Sequence, residues 1–509
     1  MKQQLDLVLV NPASGRRIYQ KLADTLTAVE PPVWAGLMAT FVRRRGFTVS
    51  ILDVNAENLT PAEAADQLEE MNPHLIAIVV YGHQPSASTQ MMPGASAVCD
   101  AIKARNPQRR VLLVGGHVAA LPARTLREES ADFVSGGEGL YTMVELLGAL
   151  QAGADDDIAK VRGLWYRDGD AIRSTPPAPL VTDVENDAPM LAWDLLPMEK
   201  YRAHNWHCFG DLNRAPYASI YTTLGCPYHC SFCCIQAPFK SGEKLLGMKE
   251  TTNSYRFWKP ELVADQIDLL VEKYGVRNIK FADEMFVLNP RHVLGICDRL
   301  IERGHDLNIW AYARVDTVKE GMLEKLKKAG FNWLAFGIES GSDRVRDGVD
   351  KSFSQDDIFK TLERVRAEGI NVAANYIFGL PDDDAESMKA TLDLALDVNA
   401  EWANFYCTMA YPGSPLYEQA SRDGWTLPST WSGYSQHAVD STPLPTRHLP
   451  AREVLRFRDA AFDTYFTGTR FLEMITRKFG VETADHIREM ASYRLERNDA
   501  GEKPTAVVR

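Results

Sequence analysis

The sequence predicts an α/β protein made of two parallel-sheet units, a doubly wound domain and then a partial βα barrel, with a helical C-terminal tail. Five short apolar runs alternate with helical patterns over the first 150 residues, six further strand-helix alternations fill 215 to 425, and amphipathic helical patterns resume after 450. A chain of 509 residues exceeds one ordinary hydrophobic core. The expected division is a doubly wound domain at 1–154, a linker with a small β-hairpin at 155–210, a barrel at 211–425 and a mostly helical extension at 426–509.

In the first domain the strands are DLVLVNP (6–12), FTVSILD (47–53), LIAIVVYG (75–82), RRVLLVGG (109–116) and ADFVSGGEG (131–139). Each is apolar, partly β-branched and closed by a turn residue. WAGLMATFVRRRG, PAEAADQLEEMN, ASAVCDAIKARN and GLYTMVELLGALQ supply helices between them, so the sheet should be parallel and covered on both faces. Ligands of such a sheet sit beyond the carboxyl ends of its strands, where NPASG, YGHQPSAS, VGGH and SGGEG fall. Four small-residue loops at one edge suit a large flat ligand approached by backbone. VRGLWYRDGDAIRST reads as a hairpin turning at Asp168, Gly169 and Asp170, and PPAPLVTDVENDAP as an acidic, proline-rich connector.

The barrel strands are ASIYTTLG, VRNIKFADE, LNIWAYAR, NWLAFGIES, NVAANYIFG and EWANFYCTMAY, a (β/α)6 arrangement whose chemistry belongs at the C-terminal strand ends. AREVLRFRDAAFDTYF and TRFLEMITRKFG are the tail helices.

Hydrophobic residues make up 45% of the chain and charged residues 24%, ordinary for a soluble protein, and the longest apolar runs are strand-length. No membrane span is expected, and the N-terminus enters a strand without an export signal, so the cytoplasm is the expected location. A net charge of -12 disfavours nucleic acid and anionic lipid and favours small-molecule or protein substrates.

Four of the eight cysteines fall in LGCPYHCSFCC, at Cys226, Cys230, Cys233 and Cys234, while Cys99, Cys208, Cys297 and Cys407 are scattered. One dense cluster in a reducing compartment reads as metal binding or catalysis rather than a disulfide framework. A structural zinc site wants a second ligand pair that the chain does not obviously offer, and His229 is poorly placed to supply one. Three thiolates spaced C-x3-C-x2-C suit a 4Fe-4S cluster with one iron left open.

This loop, directly after the first barrel strand, resembles the signature of the radical S-adenosylmethionine superfamily. The resemblance implies that Cys226, Cys230 and Cys233 ligate the cluster and that Phe232 lies near the adenine of S-adenosylmethionine. It places Asp283 and Glu284 of FADEMF at the methionine amino group and Arg314 of ARVD near the carboxylate or sulfonium. Glu339 and Ser340 of GIESGS fall near the ribose, and Ile377, Phe378 and Gly379 of YIFGLP offer backbone to the adenine. Cys234 is taken as a packing residue. YPGSPLYE (411–418) matches the same family's phrasing.

With VGGHVAALP (114–122) and DFVSGGEGLYTMVELL (132–147), the first domain resembles that of the cobalamin-binding branch. The resemblance implies a flavodoxin-like cobalamin domain, with contacts from Ser14, Tyr81, Gly82, His83, Ser86, Gly115, Gly116, His117, Gly136, Gly137 and Glu138. The loop after the first strand is NPASGRR, so no lower axial histidine comes from an Asp-x-His-x-x-Gly motif; His83 and His117 lie on ligand-facing loops. A nucleotide in a flavodoxin-like crevice is the competing reading, and the absence of G-x-G-x-x-G after the first strand weighs against a dinucleotide.

The resemblance implies an enzyme that adds a methyl group to an unactivated carbon of a small molecule through a 5'-deoxyadenosyl radical, served by an external one-electron reductant such as flavodoxin or ferredoxin. Relatives that cyclise or contract rings keep a non-methylating outcome open, and a cobalamin and iron-sulfur redox sensor is the non-enzymatic alternative. Cys208, Tyr312, Tyr376, Tyr406 and Tyr411 are candidates to line the substrate pocket. The segment 234–260, with Tyr255 and Phe257, either covers the site or docks the linker.

Overall fold

The computed structural model describes residues 4–82, 84, 87–153, 155–349, 351 and 353–498. The first sheet contains β1 (Leu7–Asn11), β2 (Val49–Asp53), β3 (Leu75–Val79), β4 (Val111–Val114), β5 (Phe133–Ser135), β6 (Leu164–Asp168) and β7 (Ala171–Ser174). Its order is β2-β1-β3-β4-β5-β6-β7. β1 to β5 pair in parallel, with Leu7 beside Val49 on one side and Leu75 on the other. Every residue of β1 and β3 is buried, because helices cover both faces, and this is why the strands read as unbroken apolar runs. Leu7 and Leu9 face a core continuous with that of the barrel, while Val8 and Val10 face a separate core under helices Pro61–Met71 and Ala87–Arg105. The hairpin β6-β7 is not confined to a linker: β6 pairs antiparallel with β5 and extends the sheet.

Helix Ala87–Arg105 runs through Pro93, where the sequence places a helix only from Ala95. Proline removes a helical donor and crowds the preceding turn. Ser14 relieves the defect, its Oγ donating to the Met91 carbonyl at 3.1 Å and accepting from the Gly94 N–H at 2.9 Å. Gly94 permits this approach, since a Cβ there would lie 2.4 Å from the Ala13 carbonyl oxygen.

The second sheet uses β8 (Tyr217–Ile220), β11 (Asn278–Phe281), β12 (Asn308–Ala313), β13 (Phe331–Glu339), β14 (Asn371–Phe378) and β15 (Trp402–Cys407). β9 (Thr223–Leu224) and β10 (Arg256–Phe257) form a small antiparallel pair beside it. The six strands run parallel in the order β15-β14-β13-β12-β11-β8, leaving the barrel open between β15 and β8. Its base is stopped by the turn Trp206–Cys208: Trp206 packs edge-on to Trp310 and Trp333 at 5.1 and 5.2 Å, and His207 Nε2 lies 2.9 Å from the Asn308 carbonyl. Helices Ala451–Phe466, Thr469–Phe479 and Val481–Ser492 follow as the tail. Helix Ala451–Phe466 packs on β15, where Arg458 Nε donates to the Phe405 carbonyl at 2.8 Å. Among the described residues no helix is long and apolar enough to cross a membrane.

The segment 234–260 docks the linker. Trp258 Nε1 donates to the Ala188 carbonyl at 2.8 Å, Lys259 pairs with Glu185 at 2.6 Å, and Arg256 reaches Glu138 and the Val181 carbonyl at 2.8 and 2.7 Å. Tyr255 and Phe257 pack edge to face at 4.5 Å, and Tyr255 donates to the Met285 carbonyl.

Candidate functional site

After β9 the chain turns at Gly225, whose φ of +90° disfavours a side chain and where a Cβ would lie 2.2 Å from the Ser254 carbonyl oxygen. The cysteine loop that follows is held by its backbone. Gln236 Nε2 and Asn253 Nδ2 donate to the Cys226 carbonyl at 2.7 and 3.0 Å, Asn253 also reaches the Tyr228 carbonyl, and Lys240 fixes Asn253. Thiols are thereby left free for other work: all eight cysteines are unpaired, with Cys226 buried and Cys230 and Cys233 half-buried. Burial pushes the Cys226 thiol up to about 12 and raises Cys230 and Cys233 as well, so thiolates here call for a bound cation. Among the described residues no three His, Cys, Asp or Glu side chains converge on the position of a single ion. Tetrahedral zinc demands that convergence; a multi-iron cluster, with each thiolate on its own iron, does not.

A cavity of about 1300 Å³ runs from this loop down the barrel to Trp206 and out past the open edge of β15. The inward positions follow the two-residue strand period: Lys280, Ala282 and Glu284 from β11 and its end, Trp310 and Tyr312 from β12, Ala335 and Glu339 from β13, and Ala373, Asn375 and Ile377 from β14. Phe232, Cys233 and Cys234 complete the upper wall.

Of the expected nucleoside contacts, Phe232, Glu284, Glu339 and Ile377 therefore share this wall. Glu339 adopts φ +66°, a conformation rare outside glycine, and its carboxylate pairs with the buried Lys351. Asp283 and Ser340 turn away. Both Asp283 oxygens are occupied by Thr222 and Thr223, the shortest contact being 2.6 Å, so Asp283 positions the chain entering the cysteine loop. Ser340 Oγ is engaged with Thr391 Oγ1 and the Ser342 N–H. Arg314 forks onto Asp316 at 3.0 Å and lies 4.0 Å over the Tyr228 ring, with Nη1 buried and without a hydrogen-bond partner among the described residues. Phe378 points outward against Phe405 and Phe457, and Gly379 donates its N–H to Asp383 at 3.0 Å. Of the pocket candidates, Tyr312, Tyr406 and Tyr411 line the cavity, whereas Tyr376 faces the outer layer and Cys208 lies in the base.

Cys234 also lies on the wall of a second, narrow cleft between the two sheets, together with Glu284, Trp34, Tyr81 and His117. The sequence treats Cys234 as packing only; its place after Cys233 hides that the turn aims it at the first domain. Burial pushes the Glu284 carboxyl up to about 8, with the charge of Asp283 adding to the effect. A carboxyl raised in the folded state favours folding fully below its unfolded value of 4.5 and loses that contribution as pH rises through about 8. Urea midpoints of the metal-free protein at about pH 5.5 and about pH 8.5 should therefore fall with pH, and Glu284→Gln should flatten that fall.

At the carboxyl edge of the first sheet, Tyr81 stacks on Trp34 at 3.9 Å and donates to the Glu138 carbonyl at 2.9 Å. Gly82 has φ +70°, and a Cβ there would press on Ala87. Gly115 is squeezed against the Val80 carbonyl, Gly136 against Trp165, and Gly137 approaches Ser241, while Gly116 lines the narrow cleft. His117 is buried, its Nδ1 lies 3.1 Å from Thr89 Oγ1, and its Nε2 has no hydrogen-bond partner among the described residues; burial holds the ring down to about 3. Glu138 is committed to Arg256 and the Val181 N–H, and Ser14 to the proline-bearing helix. His83 and Ser86 lie outside the described residues.

Residues 19–147 match the B12 binding domain family and residues 220–395 the radical SAM superfamily. The chain therefore joins a B12-binding domain to a radical S-adenosylmethionine domain, the pair found in cobalamin-binding radical S-adenosylmethionine enzymes. It is 28% identical over 469 residues to an uncharacterized methyltransferase of Pyrococcus horikoshii, covering 92% of this chain and 94% of that one. An anaerobic magnesium-protoporphyrin IX monomethyl ester cyclase of Rubrivivax gelatinosus is 25% identical, over 76% of this chain and 66% of its own. Among solved structures, the radical S-adenosylmethionine methyltransferase TsrM from Kitasatospora setae, with cobalamin and a [4Fe-4S] cluster bound, has the same fold. It superposes with a TM-score of 0.65 at 16% identity, covering 95% of this chain and 99% of TsrM. Members of this radical S-adenosylmethionine family are enzymes, and a 4Fe-4S cluster, S-adenosylmethionine and cobalamin are the cofactors of this one.

Proposed function

We propose that this family member transfers a methyl group to an unactivated carbon of a small molecule bound in the barrel. The observation that carries the reading is the continuous cavity, which has Cys233 and Cys234 in its upper wall and reaches Gln84 and Gln90 of the first domain. A species held there meets both cofactor sites without crossing solvent. When bound, the cluster and S-adenosylmethionine supply a carbon-centred radical, and cobalamin supplies a methyl group.

The residues of this chain bind, orient and shield. Cys226, Cys230 and Cys233 hold the cluster, on a loop fixed by Gln236 and Asn253. Phe232 and Ile377 give an apolar seat, Glu339 accepts from ribose hydroxyls, and Glu284 faces the methionine end. Arg314 brings its unpartnered Nη1 close to the cysteine loop. Gly116 and His117 line the cobalamin face beside the Gly82 loop, and His117 Nε2, without a hydrogen-bond partner among the described residues, suits a ligand fringed with amides. Trp206 closes the base and keeps bulk water from a reactive intermediate. The division at 154, 210 and 425, an external flavodoxin or ferredoxin and a cytoplasmic location complete the reading.

Similarity to the magnesium-protoporphyrin cyclase favours a second reading, ring closure without methyl transfer. One anaerobic experiment separates them: reconstitute with iron, sulfide and cobalamin, add a low-potential reductant and methyl-labelled S-adenosylmethionine, and quantify 5'-deoxyadenosine and S-adenosylhomocysteine. Both products, with label passing through the corrin, support methyl transfer. 5'-Deoxyadenosine alone favours the second reading, and neither product rejects both.

A further inference from the structure

The lower cavity differs from a site for a charged metabolite. Its floor and sides are the indoles of Trp206, Trp310 and Trp402, with Trp206 and Trp402 stacked at 6.4 Å. On the same wall Ala282, Ala335 and Ala373 occupy inward positions where a barrel normally carries bulky branched residues, Ala373 directly beside Trp402 in the sheet. The space is created by those alanines. Ligand pockets usually span roughly 300–1,000 Å³, so a cavity of about 1300 Å³ holds a nucleoside and leaves a chamber beside it.

The charged groups around the chamber are paired within the protein, while Trp310 Nε1 and Ser441 Oγ are buried without a hydrogen-bond partner among the described residues. Lys280 pairs with Glu30 at 3.0 Å, and Glu30 also meets His204. Asn404 donates to Asn375 and accepts from Trp402 Nε1, both at 2.9 Å. Toward the mouth, Arg458 and Arg497 are engaged by Asp459 and Arg494 by Asp463. Arg452 stands on the exposed outer rim. What the wall does offer is phenol: the hydroxyls of Tyr19, Tyr312 and Tyr406 face the cavity and make no hydrogen bond among the described residues.

Resting on the proposed function, we infer that the substrate is a neutral, largely apolar ring system carrying a few hydroxyl or carbonyl oxygens, and that the tryptophan-walled chamber is its binding site. Indole faces stack on flat or fused rings, and the three phenols supply donors to scattered oxygens. A phosphate or sulfonate entering the chamber would give up its hydration without meeting an unpaired cation.

The test uses two probes with one skeleton, N-phenyl-1-naphthylamine, which is neutral, and 8-anilinonaphthalene-1-sulfonate, which is anionic. Each is titrated into the anaerobically reconstituted holoenzyme with S-adenosylmethionine present, reading probe emission sensitised by tryptophan. Saturable one-to-one binding of the neutral probe, about tenfold or more tighter than the anion and weakened by Ala373→Leu with the circular dichroism unchanged, supports the inference. Equal or tighter binding of the sulfonate overturns it, as does no saturable sensitised emission from either probe. The parallel assay for 5'-deoxyadenosine keeps the two claims apart. Cleavage without neutral-probe binding removes the substrate class and leaves the enzyme, whereas probe binding without cleavage removes the activity.

Discussion

Cys230→Ala is expected to abolish reductive cleavage of S-adenosylmethionine, with 5'-deoxyadenosine falling by about a thousandfold or more. The loop is shaped by side chains that grip the backbone at Cys226 and Tyr228, so removing the Cys230 thiol deletes a proposed cluster ligand and leaves the loop in place. Folding should survive and the cluster should not. The measurement is iron and sulfide content and the electron paramagnetic resonance signal of the anaerobically reconstituted variant, beside the product assay. A full cluster signal with retained cleavage would mean that another thiol, Cys234 being the adjacent one, completes the ligand set.

Glu138→Ala should be the most damaging single change away from the cavity. Glu138 and Arg256 are both buried, 2.8 Å apart, and the second carboxylate oxygen accepts from the Val181 N–H at 2.9 Å. Truncation leaves the Arg256 charge without its carboxylate, in a guanidinium whose Nε and Nη2 already lack hydrogen-bond partners among the described residues, and leaves the Val181 amide unsatisfied. Losing one member of such a pair costs about 3–5 kcal/mol. The check is the denaturant midpoint of the metal-free protein, with Glu138→Gln, which keeps an acceptor, falling between wild type and alanine. A cobalamin contact alone would predict a loss of corrin binding with no change in the metal-free midpoint.

That contrast shows how far the sequence could be read. Both sheets were legible because their parallel strands appear as short, largely buried apolar runs, and the cysteine loop because its spacing is local. Side-chain direction at the strand ends was harder to read. Glu284 and Glu339 reach the cavity, but Asp283 and Ser340 beside them do not, since alternation turns neighbours to opposite sides and Thr222 and Thr391 claim them. Ser14 and Glu138 carry the residue types of a ligand loop, yet their partners, Gly94 and Arg256, are distant in sequence and appear only after folding. The three inward alanines, Ala282, Ala335 and Ala373, fall on the two-residue period of NIKFADE, NWLAFGIE and NVAANYIF, where their small size is the sequence signal of empty space.

The open edge of the barrel is flanked by segments from opposite ends of the sequence. Gln20 Nε2 donates to the carbonyls of His437 and Glu496, the Glu496 N–H returns to Gln20 Oε1, and Ser435 donates to the Ile18 carbonyl. This side wall stays incomplete until residues near 496 have been synthesised, long after the cobalamin domain and the cysteine loop can take shape. The side wall of the cavity thus rests on contacts spanning 417 to 476 positions of sequence, which ties its formation to the folding of both domains.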